Sequence, residues 1–279
     1  MREYIVLDVF TETPLEGNPV AVFTDGEGLS SETMQRTARE LNLSETVFLL
    51  PGEDGAHARA RIFTPAVELP FAGHPVLGTA FMVGRRQRID TVRLQTGAGV
   101  ISVALTRREG THVFGEMSQP LPTWELFHQP DELLAALGLS GSRLPIEVYD
   151  NGPRHTFVAL PDAAEVSALR PDLGALTELG EVGVSCFALA DGHVRTRMFA
   201  PGLGVAEDPA TGSAAGPLAV HLARHGETGF GERIEIRQGA EIARPSTLYA
   251  RAEGTRDRLD RVAVGGAAVI VARGEYRLD

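Results

Sequence analysis

The stretch Arg61-Ile62-Phe63-Thr64-Pro65-Ala66-Val67-Glu68-Leu69-Pro70-Phe71-Ala72-Gly73-His74-Pro75 carries the pattern on which the fold turns. Ala56 to Phe63 reads as a strand, and a Pro- and Gly-rich turn then opens the apolar segment Val76 to Val83. That segment reads as a capped helix. Pro75 suits a first helical position, where a missing N–H costs nothing, and Gly84 suits the left-handed residue just past the end. The unit returns later in the chain. Arg197-Met198-Phe199-Ala200-Pro201 matches residues 61–65 at an offset of 136, and Gly212-Ser213 matches Gly73-His74 at 139. Thr211-Gly212-Ser213 opens this second helix, Ala214 to His225 carries it, and Gly226 ends it. Weaker echoes pair Gly17-Asn18-Pro19 with Asn151-Gly152-Pro153 at 134, and Ser44-Glu45 with Ser185-Cys186 at 141. Loop insertions between duplicated elements produce such a slowly rising offset, so the chain is expected to form two similar lobes facing across a cleft.

Outward from these units, Arg2 to Phe10, Gly17 to Phe23, Glu45 to Leu50, Thr91 to Thr106 and Thr111 to Met117 read as strands, and Ser30 to Leu41 as a helix with a Ser cap. Gln119-Pro120-Leu121-Pro122-Thr123 marks a linker, which divides the chain into lobes 1–118 and 119–279, the C-terminal strand being free to return to the first. The second lobe continues with a helix from Asp131 to Leu137, strands at Ile146 to Tyr149 and His155 to Leu160, and two short helices before Gly180. Strands near Val182 to Leu189 and His193 to Phe199 follow. The class is α+β.

Composition narrows the function. The 26 Lys and Arg against 37 Asp and Glu leave a net charge of −11, which gives phosphate-backbone binding no electrostatic support and excludes nucleic acid as a partner. The longest apolar run, Val262 to Val271, is about half of what a membrane-spanning helix needs. Arg2, Glu3 and Asp8 interrupt the first apolar stretch, so it does not read as a secretory signal and a cytoplasmic location is expected. The single Cys186 excludes an intrachain disulfide, a cysteine-rich metal site and catalysis by paired thiols, and its apolar strand suits a buried small hydrophobe. His221 and His225 stand at i and i+4, but Leu222 occupies the place of a zinc-helix Glu and no third ligand is recognisable, so no metal is expected. Neither Gly97-Ala98-Gly99 nor Gly202-Leu203-Gly204 completes a dinucleotide fingerprint, and no cofactor is expected.

What remains is the chemistry of the repeated unit. The first N–H groups of a helix have no intrahelical acceptor and bind anions. Two such starts facing one cleft would clamp a small carboxylate or a developing enolate, with Gly73 and Gly212 permitting close backbone approach. Glu45, His74 and Asp208 are the acid and base candidates. Glu45 begins a strand entering an apolar run, where partial burial raises a carboxylate toward a proton shuttle's working range. The plainer alternative makes His74, Thr211 and Ser213 helix caps and Asp208 the start of an Asp-Pro turn.

Asp8-Val9-Phe10, Gly17 to Phe23, Ser44-Glu45-Thr46, Glu68 to Pro75 and Asp208-Pro209-Ala210-Thr211-Gly212-Ser213-Ala214 together resemble the PhzF family across essentially the whole chain. Gln119 to Trp124, Asn151 to His155 and Gly212 to Ala219 extend the likeness toward its phenazine-pathway branch. The resemblance implies a diaminopimelate-epimerase-like α+β fold, each lobe a central helix wrapped by mixed sheet, in a homodimer. It also implies cofactor-free isomerisation of trans-2,3-dihydro-3-hydroxyanthranilate. Where related racemases hold two cysteines, this chain has His74 and Ser213. By the same resemblance Glu45 moves a proton from C3 to C1, His74 and Asp208 hold the substrate and tune Glu45, and Ser44, Gly73, Gly212 and Ser213 anchor its carboxylate. An isomerase of another small amino or hydroxy acid, or a catalytically silent dimeric binding protein, would share the same scaffold.

Overall fold

The computed structural model describes residues 1–278. Its first half runs β1 (Arg2–Val9), β2 (Asn18–Phe23), α1 (Ser31–Leu41), β3 (Glu45–Leu50), β4 (Ala58–Phe63), β5 (Glu68–Leu69), α2 (Gly73–Gln87), β6 (Thr91–Thr96), β7 (Gly99–Arg108) and β8 (Thr111–Gln119). Then follow β9 (Thr123–Leu126), α3 (Pro130–Leu137), β10 (Glu147–Asp150), β11 (Arg154–Ala159), α4 (Ala163–Ala168), α5 (Leu173–Glu178), β12 (Gly183–Ala190) and β13 (His193–Ala200). The chain continues through β14 (Val205–Asp208), α6 (Gly212–Arg224), β15 (Arg233–Gln238), β16 (Ser246–Gly254), β17 (Leu259–Gly266) and β18 (Ala268–Tyr276). Mixed sheet with a few helices makes this an α+β fold.

Strand pairing repeats between the halves. β1 and β2 are antiparallel, β2 and β3 parallel, β3 and β4 antiparallel, and β4 and β6 parallel across α2. β10 with β11, β11 with β12, β12 with β13, and β13 with β15 across α6 reproduce that series in order and sense. Each series gains one strand from outside it: β18 lies antiparallel on β1, and β9 on β10. β8 pairs with β17 and joins the two series.

At the centre of each series lies one helix. Every residue of α2 from Gly73 to Gly84, and of α6 from Gly212 to Ala223, is buried. A helix apolar all round is stable only when enclosed, which the wrapping strands provide. Each helix is reached through a turn braced in the same way. Arg61 makes a bidentate pair with Glu68 and lies over the Phe63 ring, and Arg197 makes one with Glu207 and lies over Phe199.

Two differences from the sequence reading go beyond a residue or two at an element's end. α2 does not stop at Gly84. It runs to Gln87, and the left-handed residue is Arg88 (φ 59°), whose N–H bonds the Gly84 carbonyl. Gly84 serves contact rather than conformation, since a Cβ there would come within 2.3 Å of Leu105 Cδ1. Thr91 to Thr106 is a hairpin, not one strand: the chain reverses at Gly97-Ala98, with Gly99 at φ +103° and the Thr96 hydroxyl donating to the Gly99 carbonyl. The Ser30 cap is present, its Oγ accepting from the Thr33 N–H at 3.1 Å. No helix among the described residues is long and apolar enough to cross a membrane.

Candidate active site

The starts of α2 and α6 meet. A Cβ on Gly73 would lie 2.4 Å from the Gly212 carbonyl carbon and the Ser213 nitrogen, and one on Gly212 would lie 2.8 Å from the Phe10 ring. The space a side chain would take at each glycine is filled by the opposite helix start and by Phe10, so both glycines allow the two helix starts to approach each other closely. Between the two starts lies a cavity of about 40 Å³, lined by Glu45, Gly73, His74, Asp208, Gly212 and Ser213 among others. Larger depressions of about 440 and 570 Å³ lie elsewhere and contain no member of this acid–base set.

Neither helix has a side-chain cap, so the capping alternative fails. His74 is instead held by a bond to the Pro19 carbonyl, Thr211 donates to Asp208 Oδ2 at 2.6 Å, and Ser213 Oγ lies 3.0 Å from His155 Nε2. The first residues of both helices border the cavity, and helix-start N–H groups without an intrahelical acceptor suit an anion.

Glu45 enters from the start of β3 with its side chain 13% exposed, and Oε2 lies 3.2 Å from His74 Nε2 without the alignment of a hydrogen bond. Burial, reinforced by the negative Asp208, holds the Glu45 carboxyl well above the usual range. Asp208 is also raised by burial, although bonds from Thr211, Asn18 and Ser44 favour its charged form. Burial lowers His74 to about 3 against the weaker opposing pull of the Pro19 carbonyl, so its imidazole is neutral. Two close carboxylates beside a neutral imidazole resist carrying two negative charges at once, which favours the protonated form of Glu45.

A surrounding layer of polar groups fixes these side chains. Asn18 Nδ2 reaches from β2 to Asp208 Oδ1 at 2.7 Å and to the Ala210 carbonyl at 2.9 Å. Gln238 donates to the Asp208 carbonyl and accepts from the Thr211 N–H. On α6, Pro217 has no N–H to give the Ser213 carbonyl four residues back, and Asn151 Nδ2 supplies the donor at 2.9 Å. Gln119 Nε2 bonds the neighbouring Gly212 carbonyl at 2.7 Å.

The structure thus brings Glu45, His74, Asp208, Gly73, Gly212 and Ser213 to one cavity, while Ser44 does not line it and bonds Asp208. Sequence reasoning gave no role to Asn18, Gln119, Asn151, His155 or Gln238. The Gly-Asn-Pro echo contained the first and third of these, and a helical Pro asking for a substitute donor was the signal for Asn151.

The histidines at i and i+4 do have a third acidic neighbour, which the sequence reading missed because it comes from β10. Glu147 Oε2 lies 3.2 Å from His221 Nδ1 and 3.0 Å from His225 Nε2. The same oxygen accepts from Arg224 Nη1 and the Tyr149 hydroxyl, each at 2.8 Å. Burial opposes its charge, but these four partners hold the Glu147 carboxyl well below the usual range. A guanidinium already neutralises that oxygen, which makes the cluster a brace between α6 and β10. Cys186 is buried in β12, and burial pushes its thiol up to about 12.

Comparison with known proteins gives the same picture over the full length. The chain is 56% identical over 278 residues to the trans-2,3-dihydro-3-hydroxyanthranilate isomerase of Pseudomonas aeruginosa, covering all of both chains. It superposes on the Bacillus anthracis phenazine biosynthesis protein of the PhzF family with a TM-score of 0.85 at 25% identity, covering 99% of each. A probable proline racemase from Agrobacterium radiobacter shares the fold at a TM-score of 0.67 and 14% identity, over all of this chain and 94% of that one. The duplicated, helix-centred architecture is the diaminopimelate-epimerase-like type. With the family's sequence pattern matched from residue 7 to residue 274, the chain belongs to the PhzC-PhzF family of phenazine biosynthesis-like proteins.

Proposed function

We propose that this chain is a cofactor-independent isomerase of trans-2,3-dihydro-3-hydroxyanthranilate, built as two lobes, residues 1–118 and 119–279, with the site between them. The reading rests on one observation above others. A buried, proton-retaining Glu45 shares a cavity with Asp208, neutral His74 and two uncapped helix starts, in a chain 56% identical to an isomerase of that name.

The chemistry follows from the site. Ionised Glu45 removes the C3 proton; the C3–H electron pair becomes a C3=C4 bond, the C4=C5 pair moves to C5=C6, and the C6=C1 pair forms the new C1–H bond with the proton that Glu45 returns. The resulting enol becomes a ketone. One carboxyl can serve both carbons because C1 and C3 are separated by a single ring atom, and its raised affinity for the proton keeps the intermediate acid from losing it to water. His74 and Asp208 orient the amine and hydroxyl, and the starts of α2 and α6, with Ser213, hold the carboxylate. Ser44 acts through Asp208. The family resemblance adds a second copy of the chain as partner, which sedimentation would reveal.

Incubation with the dihydro acid in D2O tests the reading. Loss of diene absorbance with deuterium entering the product is expected, and Glu45→Gln should bind ligand with an unchanged melting temperature while turnover falls by about three or more powers of ten. Unimpaired turnover by that variant would remove the shuttle. No turnover by the folded wild type would remove the substrate and favour another small amino or hydroxy acid.

A further inference from the structure

His155 belongs to no step above, yet it is 2% exposed, lines the cavity and holds its Nε2 3.0 Å from Ser213 Oγ. Its other nitrogen has no hydrogen-bond partner. Nδ1 lies 3.0 Å from where a Gly183 Cβ would be, and Met198 Cε and Sδ lie 3.3 and 3.5 Å from that same point. The space in front of Nδ1 is thus bounded by a glycine and a thioether. A buried N–H without an acceptor is the rarer and costlier defect, so the imidazole proton sits on Nε2 and Nε2–H donates to Ser213 Oγ. Burial lowers His155 to about 3 and keeps the ring neutral.

The direction of that bond decides what Ser213 offers the cavity. If Oγ accepts from His155, its own hydrogen is free to turn toward a ligand. If Ser213 donated to the ring instead, it would present lone pairs to an anion. We propose that His155 is a positioning residue that fixes Ser213 as a hydrogen-bond donor to the substrate's carboxylate. This rests on the reading of the site as a carboxylate clamp. The pair deepens that reading because the first-turn amides alone accept any anion, whereas an oriented hydroxyl adds directional recognition.

Calorimetry with anthranilate, and with anthranilamide as the uncharged control, tests the proposal without turnover. His155→Leu should weaken anthranilate about 10- to 100-fold, as should Ser213→Ala, with anthranilamide little changed. His155→Gln places an amide N–H near the lost Nε2–H and should recover most of that loss. The His155→Leu, Ser213→Ala double variant should bind no worse than Ser213→Ala alone, because the two residues act as one unit. In turnover the loss should fall on KM rather than kcat. Wild-type affinity in His155→Leu, additive losses, or a Gln variant no better than Leu would overturn the proposal. The proton can also be located in the unsubstituted protein by 15N-histidine NMR, which answers even if the Leu variant fails to fold; a proton on Nδ1 would overturn it. Wild-type protein that prefers anthranilate to anthranilamide but does not convert the dihydro acid would end the substrate reading alone. Equal affinity for the two probes would end this one.

Discussion

Asp208 and Glu45 are coupled through space, so a change at one is read at the other. Burial and the Asp208 charge both raise Glu45, and a base must be ionised to begin the reaction. Turnover should therefore rise with pH through an acid limb lying above the ordinary carboxylate range. Asp208→Asn removes the charge while keeping the shape, and should move that limb of the kcat/KM profile to lower pH, at reduced kcat. A limb that stays in place would mean the titrating group is not Glu45. That Glu45, His74 and Asp208 share one cavity agrees with their selection from the sequence, His74 and Asp208 for lying beside helix openings and Glu45 for starting a strand that enters an apolar run. Their supports were not legible there. Asn18 reaches Asp208 across 190 residues of chain, and Glu147 reaches His221 across 74, distances at which only the folded topology makes neighbours.

At the scale of the element, α6 tolerates an interior proline because Asn151 replaces the donor it lacks. Asn151→Leu should orphan the Ser213 carbonyl and cost about 1–3 kcal/mol. Pro217→Ala returns a backbone N–H to the same carbonyl, and should stabilise the Asn151→Leu background more than it stabilises the wild type. Equal gains in urea-denaturation midpoints would deny the compensation. Helix existence was plain from the sequence at both α2 and α6, but the end of α2 was not. Glycine signals a left-handed terminus and a tight contact equally well, and at Gly84 the second meaning applies because Leu105 presses on it.

For the whole molecule, acid sensitivity follows from the neutral histidines. His74 and His155 titrate at about 3 in the folded chain against 6.5 when unperturbed. The unfolded chain takes up protons below about 6.5 and the folded chain does not, so stability should fall as pH drops from 6.5 toward 3. Glu45 and Asp208 work with the opposite sign, favouring the folded state at acid pH and opposing it as pH rises past their ordinary values of 4.5 and 3.8. The histidine contribution is isolated by comparison: relative to wild type, His155→Gln should gain in urea midpoint as pH falls from 6.5 toward 3, and a pH-independent difference between the two would show that His155 titrates normally. The cavity's 40 Å³ has room for about one water, whereas ligand pockets occupy about 300 Å³ or more. On the proposed function, the cavity must widen to admit the substrate. The repeat in the sequence announced two facing units; it did not announce that they would touch so closely.

The pairing of β18 with β1 governs how the protein can be made. Arg2–Val9 is translated well before the strand that covers its open edge, Ala268–Tyr276, the last strand of the described residues. Until then β1 exposes unpaired amides and carbonyls while the whole second unit is synthesised. Deleting residues 268–278 should leave a chain that aggregates during expression even though every cavity-lining residue is present; a soluble, folded truncate would show that the edge needs no cover. Completion of the first unit thus waits on translation of the second, and a ribosome that stalls late delivers no usable half.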